Sequence, residues 1–179
     1  MDNIILGLLL LQSRTIYQLR ERINKGLNIM YSSSMGSIQA AIKKLLRNEF
    51  IDYEEIVENG KYKKVYSITD SGKNYFIEWV NTPIKTEPIK IPELGKLYFM
   101  GFSDKSKRIE SIENHILDLN KQYQSMVFIY EEGRKFKAPE AAKDLIKYQL
   151  LSAKYGRDIL KFNLDWYSQV LVNMKEGTI

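Results

Sequence analysis

Cysteine is absent from this chain of 179 residues. Its absence excludes disulfides, thiolate metal sites and cysteine nucleophiles, and it suits a reducing cytoplasm. Histidine occurs once, as His115. A multi-histidine metal centre is therefore excluded, and a Ser-His triad would rest on a residue inside a long helical pattern, with no serine and carboxylate set beside it. No glycine-rich loop follows a strand, so no nucleotide cofactor is indicated. Long apolar runs are missing too. The opening Ile4–Leu11 run is too short to span a bilayer, follows Asp2 rather than lysines and has no small-residue cleavage site. It reads as a buried first helix of a cytoplasmic protein. Proline is scarce at four residues, yet Pro83, Pro88 and Pro92 crowd one stretch. That density prevents a regular helix and marks a junction. The division expected is a domain over 1–82, a linker over 83–92 and a second domain over 93–179.

What the chain does have is an apolar share of 44%, sufficient for a packed core, and a net charge of +5, compatible with a polyanionic partner. Ile16, Leu19, Ile23 and Leu27 line one face of a helix that Thr15 can cap and Gly26 can end. Ser32–Ser34 break the chain before a helix over about Met35 to Asn48. On it Ile38, Ala41, Ile42 and Leu45 share one side, while Gly36, Ala40, Lys43, Lys44 and Arg47 lie opposite, flanked by Ser37 and Gln39. Two strands follow, Ile51 to Val57 and Tyr62 to Ile68. Asn59-Gly60 between them is a hairpin signal, because a type I′ turn needs positive φ at both central positions. Thr69 or Asp70 then caps a further helix through Val80.

Beyond the prolines, Ile109, Ile112, Ile116, Leu119, Tyr123, Met126 and Tyr130 recur at steps of three and four, a heptad seam. After Gly133 and Pro139 a last helix carries Leu145, Tyr148, Leu151, Tyr155, Ile159, Phe162, Trp166 and Val170 on one stripe. Two long helices joined by a short connection form an antiparallel hairpin.

The first eighty residues thus run helix, helix, turn, helix, hairpin, helix. With ILGLLLL, TIYQL, SMGSIQAAIKKLLRNEFID and GKYKKVYSITDSGKNY, the chain resembles the PadR family of bacterial transcriptional regulators. Ser34, Gly36, Ser37, Ile38, Ile42, Leu45, Gly60, Lys63, Lys64, Tyr66, Thr69 and Gly72 fall on the family pattern. The resemblance implies a mainly α protein: a winged helix-turn-helix with a small β-hairpin wing, then a helical dimerisation domain with two long antiparallel helices. Gln39 departs from the family's usual tyrosine. Glu49 departs from its usual glycine, which argues against a left-handed cap there.

A recognition helix needs one face for the core and a slim opposite face for the major groove. Gly36 and Ala40 keep that face slim; Ser37, Gln39, Lys43 and Lys44 supply donors. Ser33 and Ser34 stand at the helix N-terminus, where free N–H groups favour a phosphate. Lys61, Tyr62, Lys63 and Lys64 form the wing tip, placed to reach an adjacent backbone, and Tyr17 of TIYQL joins this duplex-binding set. Ile109, Ile112, Ile116, Leu119 and Tyr123, with Tyr155, Ile159, Phe162 and Trp166, are expected to hold a homodimer on a palindromic operator. The resemblance also implies release by a small aromatic effector, for which Trp79, Tyr98, Phe99, Phe102 and Trp166 are the candidate pocket. The leading expectation is a repressor that occupies its operator. A plasmid or phage partition factor, or a protein–protein adaptor, is the alternative. An enzyme finds no catalytic spacing: Glu54 and Glu55 alternate across a strand and do not face one substrate.

Overall fold

A computed structural model of the chain describes residues 1–26, 34–58, 60–85 and 91–179. Leu27, Ser32, Ser33, Asn59 and Pro88 of the reading above, and the side chain of Lys61, lie outside the described residues. The chain divides into two compact units, Met1–Thr86 and Glu87–Ile179.

The first unit contains α1 (Asp2–Leu11), β1 (Arg14–Thr15), α2 (Ile16–Gly26), α3 (Met35–Arg47), β2 (Ile51–Glu58), β3 (Lys61–Ile68) and α4 (Asp70–Asn81). The helices and hairpin stand where apolar periodicity places them. Ile5, Leu6 and Leu9 of α1, Leu19 and Ile23 of α2, and Ile38, Ala41, Ile42 and Leu45 of α3 close over Ile51 and Tyr66 of the sheet in one buried cluster. The sheet differs from the expected hairpin by a third strand. β1 pairs antiparallel with β3, Arg14 opposite Tyr66 and Thr15 opposite Val65, in the order β1-β3-β2. Two residues carry no alternation of their own, so this strand is made by its partner. Gly60, after Asn59, has a φ of 73°, as the hairpin turn requires.

Glu49 corrects the expectation drawn from its side chain. Its φ is 56°, the one positive value outside glycine among the described residues. The Glu49 N–H donates to Leu46 O and the Phe50 N–H to Leu45 O, both at 3.0 Å, the paired bonds that close a helix through a left-handed residue. What holds a glutamate there is α4. The Thr69 and Ser71 hydroxyls each donate to the Glu49 carbonyl at 2.8 Å, and the Thr69 N–H donates to Phe50 O at 3.1 Å. Thr69 also caps α4 by accepting from the Gly72 N–H at 3.1 Å. A β-carbon on Gly72 would stand 2.0 Å from Phe50 O, so glycine is needed there for close approach rather than for its dihedral freedom.

The second unit contains α5 (Pro92–Tyr98), a single 3₁₀ turn (Met100–Phe102), α6 (Lys105–Lys135), a second 3₁₀ turn (Glu140–Ala142) and α7 (Lys143–Glu176). Pro92, read as the end of a linker, occupies the first turn of α5, where its missing N–H has no acceptor to lose. Gly133, read as a break, lies inside α6 and faces Leu150, whose Cδ2 would be 2.6 Å from a β-carbon. α6 and α7 pack along their length. The α6 seam is spent on that packing: Ile112, Leu119 and Met126 are buried with Leu160, Tyr167 and Met174 of α7. Ile112 and Leu119 are thus buried within one chain, and Ile109, Ile116 and Tyr123 share their seam and are half-buried. The α7 stripe that the aromatics mark is the opposite one, and Tyr148, Leu151, Tyr155, Phe162 and Trp166 are exposed.

Gly72→Ala should lower the unfolding free energy by about 3 kcal/mol in urea denaturation, because its β-carbon meets backbone that cannot withdraw without opening the α3 terminus. A loss below about 1 kcal/mol would mean that this turn yields.

Candidate nucleic-acid interface

α2 begins with a reciprocal cap. The Thr15 N–H donates to Gln18 Oε1 at 2.8 Å, and the Gln18 N–H donates to Thr15 Oγ1 at 3.3 Å. The spacing T-x-x-Q carried that signal in full, although only Thr15 was singled out from sequence. α3 begins at Ser34, whose hydroxyl accepts from the Ser37 N–H at 3.2 Å while its carbonyl accepts from the Ser37 hydroxyl at 2.8 Å. Both serines thus serve the helix start itself.

Between α2, α3 and the wing lies a cleft of 870 Å³. Tyr17 and Gln18 enter it from α2, Gln39 and Lys43 from α3, and Tyr62, Lys63, Lys64 and Glu58 from the hairpin. Tyr17 and Tyr62 are 73% and 83% exposed, so their rings stand in solvent rather than in the core. Gly36 and Ala40 are exposed on α3, as a slim outer face requires. Lys44 points elsewhere: its Nζ lies 2.7 Å from Asp2 Oδ2 at the start of α1. A hydrogen bond to Asp2 and the charge of Asp2 raise its pKa.

The charge of the wing is not what its lysines suggested. β2 contributes Asp52, Glu54, Glu55 and Glu58 against Lys61, Lys63 and Lys64 of β3, so the two strands carry one net negative charge. Lys63 hydrogen-bonds and ion-pairs with Glu58. Lys64 lies 3.4 Å from Glu55, directly across the ladder, and its Nζ stands 3.9 Å from the centroid of the Tyr53 ring. Lys63 holds the Glu58 carboxyl below the usual carboxylate range, through its hydrogen bond and then its charge. Tyr53, and after it Glu55, hold the Lys64 ammonium above the usual lysine range. The excess of positive charge sits on the helices. α3 carries Lys43, Lys44 and Arg47 with no acid, and α2 carries Arg20, Arg22 and Lys25 against Glu21. The cleft thus offers phenol hydroxyls, the side-chain amides of Gln18 and Gln39 and ammonium groups along a helix slim enough for a groove, a donor set matched to base edges and phosphates.

Residues 5–78 match the model of the family described as "Transcriptional regulator PadR-like family". The match falls within the first unit. The chain's likeness to relatives runs nearly end to end. It is 25% identical to the Negative transcriptional regulator PadR of Bacillus subtilis over 93% of both chains. The crystal structure of that B. subtilis protein in complex with operator DNA superposes with a TM-score of 0.75 at 21% identity, covering 97% of this chain and 98% of that one. A structure of the same protein in complex with p-coumaric acid gives 0.70 at 20% identity over 97% and 98%. The PadR-like regulator BC1756 of Bacillus cereus gives 0.77 at 19% identity over 98% of each. These likenesses establish the fold: a winged-helix unit followed by a long helical region.

The candidate effector aromatics fall in both units and are exposed. Trp79 is on α4 beside Phe76, with ring centroids 5.7 Å apart. Tyr98 and Phe99 meet edge to face at 5.0 Å, and Trp166 meets Tyr167 at 4.9 Å. His115, inside α6, is half-buried and stands edge-on to Tyr167, with centroids 4.5 Å apart. Among the described residues no cluster of His, Asp and Glu is arranged to hold a metal ion. No helix among them is long and apolar enough to cross a membrane.

Thr15→Ala removes the acceptor that closes α2 and should cost about 1 kcal/mol in a urea melt. The same melt of Gln18→Ala should show a smaller loss, because only the outward half of the cap goes.

Proposed function

We propose that this protein is a PadR-like regulator that binds operator DNA as a homodimer and represses transcription by occupying the site. The observation that carries this reading is the cleft in which Gln39 and Lys43 of α3 stand with Tyr17, Tyr62, Lys63 and Lys64. α3 enters the major groove, with Gly36, Ser37 and Ala40 allowing close approach. Gln39 presents an amide whose two atoms match the N6 and N7 edge of adenine. Lys43 and the α3 N-terminus, with Ser33 and Ser34, take phosphates. The wing side chains, Lys61 included, lie along the neighbouring backbone. Lys44, drawn to Asp2, steadies α3 against α1.

The first unit holds the duplex and the second pairs the subunits. One α3 reads only a few base pairs, and two on a dyad set a half-site spacing of one helical turn. The pairing surface is the outer stripe of α7, with Tyr155, Ile159, Phe162 and Trp166, rather than the α6 seam. Its aromatics, with Tyr98, Phe99 and Phe102 of the same unit, suit a small aromatic ligand, as p-coumaric acid is for the B. subtilis protein. The ligand acts by preferring one arrangement of the dimer. The protein works in the cytoplasm, and its role is regulation without catalysis.

Fluorescence anisotropy of the chain on its own upstream DNA tests the reading. A saturable shift that weakens steeply with salt is expected. An adaptor or other non-binding winged-helix protein would leave both upstream and scrambled duplexes unshifted at 50 mM salt.

Lys43→Ala should weaken operator and scrambled duplex alike and flatten the salt slope by about 0.9. Gln39→Ala should instead narrow the gap between them by about tenfold, one adenine contact's worth of discrimination. In sedimentation velocity, Tyr155→Glu/Phe162→Glu should run as a monomer with its helical circular dichroism intact, whereas the native chain runs as a dimer.

A further inference from the structure

The wing offers its lysines to the cleft while two carboxylates already hold them. Lys63 is paired with Glu58, which lines the same cleft, and Lys64 with Glu55 at 3.4 Å. β2 is the outer strand of the sheet, and carboxylates there also discourage strand addition. Edge protection needs only charge, however; it does not require each acid to meet a lysine that faces the cleft. Asp52 and Glu54 make the contrast. Asp52 Oδ1 accepts from the Tyr53 N–H at 2.7 Å, and Glu54 stands opposite Val65.

We infer that Glu55 and Glu58 are specificity-determining residues, which withhold Lys63 and Lys64 from any duplex that α3 does not also recognise. This rests on the duplex-binding reading above. Contact with a random duplex is almost wholly electrostatic. There each lysine must exchange a carboxylate for a phosphate, and the released carboxylate is left beside the polyanion. Little is gained, and like charges are brought together. On the operator, base contacts from α3 hold the backbone against the wing, so the exchange is intramolecular and proceeds. The penalty therefore falls chiefly on wrong sites, a repulsive element that sharpens the choice.

Anisotropy with operator and scrambled duplexes, each across a salt series, tests this on the full chain. Glu55→Gln/Glu58→Gln keeps the shape and one acceptor oxygen at each position and removes the charge. It should raise affinity for the scrambled duplex about five- to tenfold and for the operator less than twofold, while steepening the scrambled-duplex salt slope by about 0.9 for each lysine freed. Glu54→Gln, which removes a charge from the same strand without releasing a lysine, should change neither affinity. Equal gains on both duplexes, no gain in the double variant, or the same gain in Glu54→Gln overturns the inference while native operator binding still stands. A native chain that shifts no duplex overturns the duplex-binding reading and this inference with it.

Discussion

The geometry of the first unit depends on how α4 closes the end of α3. The Glu49 carbonyl accepts two hydroxyls from the start of α4, and the Phe50 carbonyl occupies the space that a side chain at Gly72 would take. β2 begins at the next residue, Ile51. One turn therefore fixes the end of α3, the first residue of the wing and the start of α4 in a single arrangement. A left-handed glutamate costs roughly 1–2 kcal/mol relative to an ordinary backbone. Charge-free hydrogen bonds to its carbonyl offset that cost and would be lost if the turn relaxed. The wing can face α3 across a cleft because this junction leaves it no freedom to swing.

From that arrangement follows the distribution of charge around the cleft. Cross-strand register sets Lys64 opposite Glu55 and places Tyr53 beside both, and Tyr53 in turn meets Tyr66, with ring centroids 5.9 Å apart. Tyr66 is buried in the core that anchors α3. The inner part of the wing is thus tied to the hydrophobic cluster, while Tyr62 at its outer part is open to solvent. Rigid positioning at the base with polar side chains at the tip suits contact with a backbone of fixed spacing.

Periodicity made the anchoring face of α3 legible, because Ile38, Ala41, Ile42 and Leu45 recur at helical spacing with Lys43, Lys44 and Arg47 on the other side. The wing was legible from alternation and Asn59-Gly60, and Thr69 from its place before an apolar run. What escaped was whatever tertiary contact alone decides. β1 has two residues and exists through β3. The lysine–glutamate pairs need the register, which composition does not reveal, although the net negative charge of the hairpin stands in its residues. Glu49 went astray for a related reason: side-chain preference argued against a left-handed turn, whereas the bonds that enforce it come from residues twenty positions away.

α7 shows the remaining limit most clearly, in the difference between its two faces. Gly156, Leu160, Tyr167 and Met174 form the stripe that α6 covers. Gly156 and the half-buried Asn163 interrupt it as an apolar pattern, so by hydrophobicity alone the aromatic stripe on the other side is the louder signal. Inside a hairpin the smaller stripe wins, because the long α6 seam supplies the bulk and Gly133 of α6 lets Leu150 of α7 come close. α6 has one continuous stripe and spends it on α7. α7 has two, and the second sets Tyr148, Leu151, Tyr155, Phe162 and Trp166 in water. A single chain gains nothing by exposing a row of large side chains at helical spacing, and a surface of that kind is stable when another apolar surface lies against it. In the homodimer proposed for this chain, a helix placed between its own hairpin partner and a second copy requires two such faces, and in this unit α7 is the helix that has them.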